Sequence, residues 1–183
     1  MEMTPKKAAF NELLTGGFVV GLLYSVQIFV TYFLNGNTSL NWLFVMYGIA
    51  VIAYCQIYFG RRVANIKDTV GAGYSYVSAL GFSVKMMLLS GFVVGFMGWL
   101  LQNVIDPAYG DLLMKEAVRQ AIAIMPSASD AQIDQVRQMS SMIMSVWGMI
   151  GASMFSMLIN GTLVGLITSA FIKRQANIIE NNG

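Results

Sequence analysis

Four long apolar stretches alternate with short polar ones along this chain. The uncharged runs cover residues 13–34, 40–59, 86–105 and 142–172. Each reaches the ~20 residues that a helix needs to cross a ~30 Å hydrocarbon core. Lipid offers the backbone no hydrogen bonds, so each run is read as helix. The pattern predicts an all-α membrane protein, a bundle of four transmembrane helices in a single integral membrane domain, 1–183. The spans are drawn at about 13–34, 40–59, 84–105 and 142–172, with Lys85 at the mouth of the third.

Local signals refine these elements. Thr4-Pro5 reads as an N-cap followed by proline at the first helical position, so the first helix starts ahead of its span. Asn35-Gly36-Asn37 is a turn signal, which makes the first two helices a hairpin. Trp42 lies where an interfacial aromatic belongs. Glycines at 71 and 73 break the chain before 74–84, which is apolar and aromatic. That segment is left open between an interfacial stretch and an early start of the third span. Asp106-Pro107 reads as a helix stop. Between the third and fourth spans, residues 106–141 are expected to form a short extracytoplasmic helical hairpin. Leu112, Leu113, Ala117, Ala121 and Ile124 share one face of its first helix. Pro126 ends that helix. Ser127 or Ser129 caps the second, which turns Ile133 and Val136 inward. The fourth run would reach ~46 Å as unbroken helix at ~1.5 Å per residue. It is expected to protrude on the outer side, continuous with the second loop helix.

Charge sets the orientation. Apolar residues are 56% of the chain and charged residues 11%, against ~25% charged in a soluble domain. Little is left for a soluble part. Lys6, Lys7, Arg61, Arg62, Lys67, Lys85, Lys173 and Arg174 flank one side of the four spans. The loop 106–141 mixes Lys115, Arg119 and Arg137 with five acids. The positive-inside rule puts both termini and the 60–85 loop in the cytoplasm and the 106–141 segment outside. A net charge of +2 argues against nucleic acid as a partner. The lone Cys55 is mid-span and reads as an apolar filler.

The chain has no histidine, which excludes His-based acid–base chemistry, Ser-His triads and His-ligated metals. No phosphate-cradling glycine motif is present. We expect no catalytic residues, no metal and no cofactor. Glycine pairs at four-residue spacing, Gly17/Gly21, Gly91/Gly95 and Gly161/Gly165, let helix backbones approach closely. They serve packing within the bundle, a homo-oligomer or a partner's helix. Gln27, Gln56 and Asn160 are candidates for a polar cavity, with Thr31 and Ser90 beside them. An intramembrane asparagine needs a hydrogen bond, so Asn160 is expected to face protein. A cavity shared by these amides favours transport; dry pairing favours a structural subunit. Glu12 reads as a solvated or salt-bridged acid. Arg61, Arg62, Tyr74, Tyr76 and Lys85 are candidate headgroup contacts, and the wider basic set suits anionic lipid or a polyprenyl phosphate.

One stretch carries a family resemblance. Ile57-Tyr58-Phe59-Gly60-Arg61-Arg62, Gly73-Tyr74-Ser75-Tyr76, Ala79, Gly81 and Ile105-Asp106-Pro107 resemble the four-span membrane family called domain of unknown function 4199, found mainly in the Bacteroidetes group. The resemblance implies an inner-membrane protein with no catalytic residues to carry over. It also implies a gene encoded beside polyprenyl-phosphate glycosyltransferases, and from that an expected role in lipid-linked sugar metabolism. Two functional expectations follow. One is a non-enzymatic accessory or anchoring subunit for a membrane partner. The other is a small dimeric transporter or lipid-linked-sugar flippase.

Overall fold

The computed structural model describes residues 4–34, 41–69, 71, 73–124 and 129–174. The turn expected at Asn35-Gly36-Asn37 and the helix end expected at Pro126 lie outside them, as does Ser127. Among the described residues six α-helices follow in order: α1 (Pro5–Phe33), α2 (Asn41–Asp68), α3 (Tyr76–Leu100), α4 (Pro107–Ile124), α5 (Asp130–Met144) and α6 (Val146–Ile172). A π-helical turn, Leu101–Ile105, extends α3. Four of these helices are long and apolar enough to cross a membrane. The protein is an all-α, four-span, multi-pass membrane protein.

The four spans pack as a ring in the order α1, α3, α6, α2, with α2 and α3 on the diagonal. Helix α3 is the most enclosed of them. Its buried set includes Ala79, Phe82, Met86, Met87, Ser90, Gly91 and Gly95. α1 buries only a stripe of small residues, Gly16, Gly17, Val20, Gly21 and Ser25. Large apolar side chains such as Phe18, Phe33, Phe155 and Phe171 point outward. Lipid is as apolar as they are, so burying them would gain little; close packing and interhelical hydrogen bonds hold the ring instead. Cys55 is buried in the core, as expected of an apolar filler.

The helix ends correct several boundaries. Thr4 is the N-cap of α1 and Pro5 its first residue, but the Thr4 hydroxyl makes no capping bond. α2 runs past Arg61 and Arg62 to Asp68. α3 begins at Tyr76, so most of 74–85 is helix. Ser75 caps it, accepting from the Ser78 amide. Gly71 (φ +70°) and Gly73 (φ +60°) make the reversal before it. Both lie in the left-handed region, where a Cβ is penalised. Tyr74 and Arg174 exchange backbone hydrogen bonds of 2.9 and 2.8 Å, tying the entry of α3 to the exit of α6. Lys85 therefore lies ~13 Å along α3 at ~1.5 Å per residue, deeper than the mouth of the span where it was expected.

The fourth run is not one helix. The chain breaks at Ser145, whose backbone is extended (φ −64°, ψ 158°). Its hydroxyl accepts from the Gly148 amide at 3.1 Å and donates to the Met142 carbonyl at 2.6 Å. Serine competes well for backbone groups in this way, and it ends α5 and starts α6 at once. Met142 and Met144 thus belong to the hairpin, and α6 begins at Val146.

The hairpin packs α4 on α5. Leu113, Ala117 and Ala121 are half-buried, but Leu112 and Ile124 are exposed, so the packed stripe is narrower than the expected face. Ile133 and Val136 are half-buried. Ser129 forms a capping box with Gln132. Asp106 both ends the third span and starts α4: its Oδ1 accepts from the Tyr109 amide at 3.2 Å. Its Oδ2 accepts from the Tyr32 hydroxyl at 2.9 Å, which ties α1 to the hairpin. Tyr32 and Tyr109 meet edge to face, with centroids 4.9 Å apart. A Tyr32→Phe variant keeps the ring and loses the charge-assisted bond. Backbone amides at the start of α4 should then exchange hydrogen several-fold faster, with the melting of the bundle little changed. Equal exchange in both chains, followed by mass spectrometry, would remove this anchor.

Candidate functional site

All six glycines singled out lie in seams between this chain's own helices. A Cβ on Gly17 would lie 2.7 Å from the Leu89 side chain, and one on Gly21 2.6 Å from Val93. On Gly91 it would lie 2.5 Å from the Met154 Cα, and on Gly95 2.5 Å from the Ile150 Cα. Gly161 receives Met87, and Gly165 faces Leu80 and Ser83. These positions set the α1/α3 and α3/α6 distances and are covered within one chain. Gly16, against Met86 and Phe59, and Gly60, against Ile172, do the same work. Gly16 was legible beside Gly17; Gly60 was hidden by its place next to two arginines.

The three amides do not converge on one cavity. Gln56 is fully buried. Its Nε2 donates to the Gly161 carbonyl at 2.9 Å, and its Oε1 accepts from the Thr168 hydroxyl at 2.6 Å. It is a buried clamp between α2 and α6. Asn160 is exposed and faces away from the bundle. Its amide donates to the Ser156 carbonyl, one turn back on its own helix, at 3.0 Å. The expectation that it faces protein is corrected on this point: the bond it needs is found along α6. Gln27 is half-buried, and its Oε1 has no partner among the described residues. Ser90 closes the α1/α3 seam, 2.9 Å from both the Gly17 and the Met86 carbonyl.

At the end bearing both termini the headgroup candidates separate. Arg62 pairs with Glu12 at 3.0 Å, as expected of a salt-bridged acid. Arg174 pairs with Asp68 at 3.7 Å. Arg61 is exposed. The Tyr76 hydroxyl donates to the Leu166 carbonyl at 2.7 Å, binding the start of α3 to α6. Tyr74 is buried, donates to the Ser78 carbonyl at 3.2 Å, and carries the Lys67 ammonium 5.0 Å above its ring. Both phenols are thus engaged within the protein. Lys85 is exposed on α3. The neighbours that sequence reasoning missed are Ser75 and Ser78, because their proximity to Lys6 and Lys67 depends on the reversal at Gly71 and Gly73.

Burial pushes the Tyr74 hydroxyl up from 10.0 to about 12. A raised phenol favours the folded state while the group is protonated, and this contribution is complete below pH ~10. It is lost as pH rises from ~10 through ~12. The junction between α3 and α6 should therefore loosen over that window in wild type. Tyr74→Phe should flatten this part of the profile, read by melting temperature against pH. An unchanged profile would break the link to Tyr74.

The family described as "Protein of unknown function (DUF4199)" matches residues 15–174. No curated protein and no solved structure matches the chain.

Proposed function

The chain belongs to the DUF4199 family, and we propose that it acts as a non-enzymatic membrane subunit that anchors or assists a membrane partner. The observation that carries this reading is the Gln56 clamp. The most buried polar side chain of α2 spends both ends of its amide on Gly161 and Thr168. A group lining a solute path would keep donors or acceptors free for the solute. Here they consolidate a buried seam, as befits a scaffold.

We place the protein in a bacterial inner membrane with both termini cytoplasmic, since the basic end carries eight cations against two carboxylates among the described residues. We place its partner in polyprenyl-phosphate-linked sugar metabolism, with a glycosyltransferase as the first candidate. The competing reading is a dimeric transporter or flippase. Asn160 favours it, as an amide turned outward from the bundle suits contact with a second copy.

Purification from native membranes in gentle detergent, followed by mass spectrometry of proteins and lipids, tests the two readings. A stoichiometric membrane protein partner is expected. A homo-oligomer without one, which moves a solute or lipid in proteoliposomes, would overturn the subunit reading.

A further inference from the structure

Two depressions at the basic end share a wall. The first, of about 720 Å³, is lined by Lys6, Lys67, Gly73, Ser75 and Ser78, among others. The second, of about 470 Å³, continues along α1 and α3 past Leu13, Val77, Gly81, Phe82 and Lys85. Ala9, Lys67 and Ser78 line both, so the two form one groove. Lys6 and Lys67 line the first part, Lys67 and Lys85 the second, and both have largely apolar walls. Leu13, Val77 and Phe82 flank the second part, where Gly81 leaves room: a Cβ there would meet nothing within 4 Å.

Among the described residues no carboxylate pairs with the lysines of this groove. Glu12 and Asp68, the two carboxylates described at this end, are both taken by arginines. None of the ion pairs among the described residues involves Lys6, Lys67 or Lys85. Lys67 is held in place by the Tyr74 ring beneath it, which fixes a cation without neutralising it. The Ser75 hydroxyl donates to Ser78 Oγ at 3.0 Å, which leaves the Ser78 proton to donate outward. Three unpaired ammonium groups along one groove suit a ligand of negative charge with several acceptor oxygens. The apolar side chains between α1 and α3 suit a ligand that also carries a hydrocarbon chain.

We infer that this groove binds one phosphate-bearing anionic lipid. The phosphate sits among Lys6, Lys67 and Lys85 with the Ser78 hydroxyl, and the first part of its chain lies over Gly81 against Leu13 and Phe82. The site holds whether or not a protein partner exists, so it stands apart from the subunit reading. It uses Lys85 and the Tyr74 ring from the expected headgroup set, and leaves out Arg61, Arg62 and Tyr76.

The test uses the full chain in phosphatidylcholine nanodiscs, with phosphatidic acid as the probe and native mass spectrometry as the readout. One phosphatidic acid per chain should be retained in preference to phosphatidylcholine, and excess inorganic phosphate should not displace it. Each lysine near an anionic surface contributes roughly fivefold in affinity, so the double variant Lys67→Gln, Lys85→Gln should weaken retention roughly 25-fold. Gly81→Leu keeps every lysine and fills the apolar floor. It should lower retention several-fold without lowering the melting temperature. Lys173→Gln, outside the groove, should change nothing. Displacement by inorganic phosphate, with Gly81→Leu silent, would reduce the groove to a bare anion site and overturn the lipid assignment. Equal losses in the Lys173→Gln chain would mean diffuse surface attraction and overturn it as well.

Discussion

A Gly95→Val chain is expected to lose about 3 kcal/mol or more of stability, the largest effect of any single substitution considered for this bundle. Overpacking a well-filled core costs ~1–3 kcal/mol when side chains can shift. Here the obstacle is main chain. A Cβ at Gly95 would lie 2.5 Å from the Ile150 Cα and 2.7 Å from the Met149 carbonyl oxygen. No rotamer change relieves that contact, so α3 and α6 must part. Their separation also carries Gly91 away from Met154 and Gly161 away from Met87, because all three contacts lie along one seam. Without a hydrophobic force to press helices together in lipid, lost packing has little to replace it. Gly151→Ala is the matched control: nothing lies within 4 Å of its added Cβ. It should be neutral, or more stable by up to ~1 kcal/mol from helix propensity. Reversible unfolding in mixed micelles of rising SDS content reads both. Equal midpoints for the two variants would mean that the α3/α6 seam is not as tight as described.

Gln56→Leu should be the second most damaging change, at about 1–2 kcal/mol. The substitution keeps the volume near constant and removes two hydrogen bonds, one to the Gly161 carbonyl and one from Thr168. Interhelical hydrogen bonds in membranes average only ~0.6 kcal/mol and reach ~1.7. Thr168 also has an escape, since a helical threonine can turn its hydroxyl back to a carbonyl of its own preceding turn. These two facts place Gln56 below Gly95 in the ranking. A double-mutant cycle with Thr168→Val isolates the pair. The combined loss should fall short of the sum of the single losses by roughly 0.5–1 kcal/mol. Strict additivity would mean that the two side chains do not interact. The same variant bears on function, for a buried clamp changes stability alone. Altered solute movement at unaltered stability would return Gln56 to a transport path.

The hydrophobic pattern made the four spans legible because bilayer thickness is an external ruler: ~20 apolar residues must be helical, whatever surrounds them. The same pattern could not find the break at Ser145. Serine is uncharged and leaves a hydropathy run intact, while the break it supports depends on Gly148 admitting the Met142 carbonyl. Nor could it divide 74–85, where the helix start rests on the Ser75 cap and the turn at Gly71 and Gly73.

The candidate residues divide along the same line. Spacing alone identified the glycine pairs, since residues four apart share a helix face. It did not say which helices they join; that came from the ring order, with α3 between α1 and α6. Residue type alone marked Gln56 and Asn160 as polar groups in need of partners. Tertiary structure buried one in a clamp and turned the other outward. Charge counting found the basic end. Only the folded chain matched Arg62 to Glu12 and Arg174 to Asp68, leaving Lys6, Lys67 and Lys85 along one groove. What the sequence by itself determined is what each segment must do against lipid and water, a local property of composition and period. What only the tertiary structure decided is which side chains meet, because a contact joins residues far apart in the chain and depends on the rotation and closeness of whole helices.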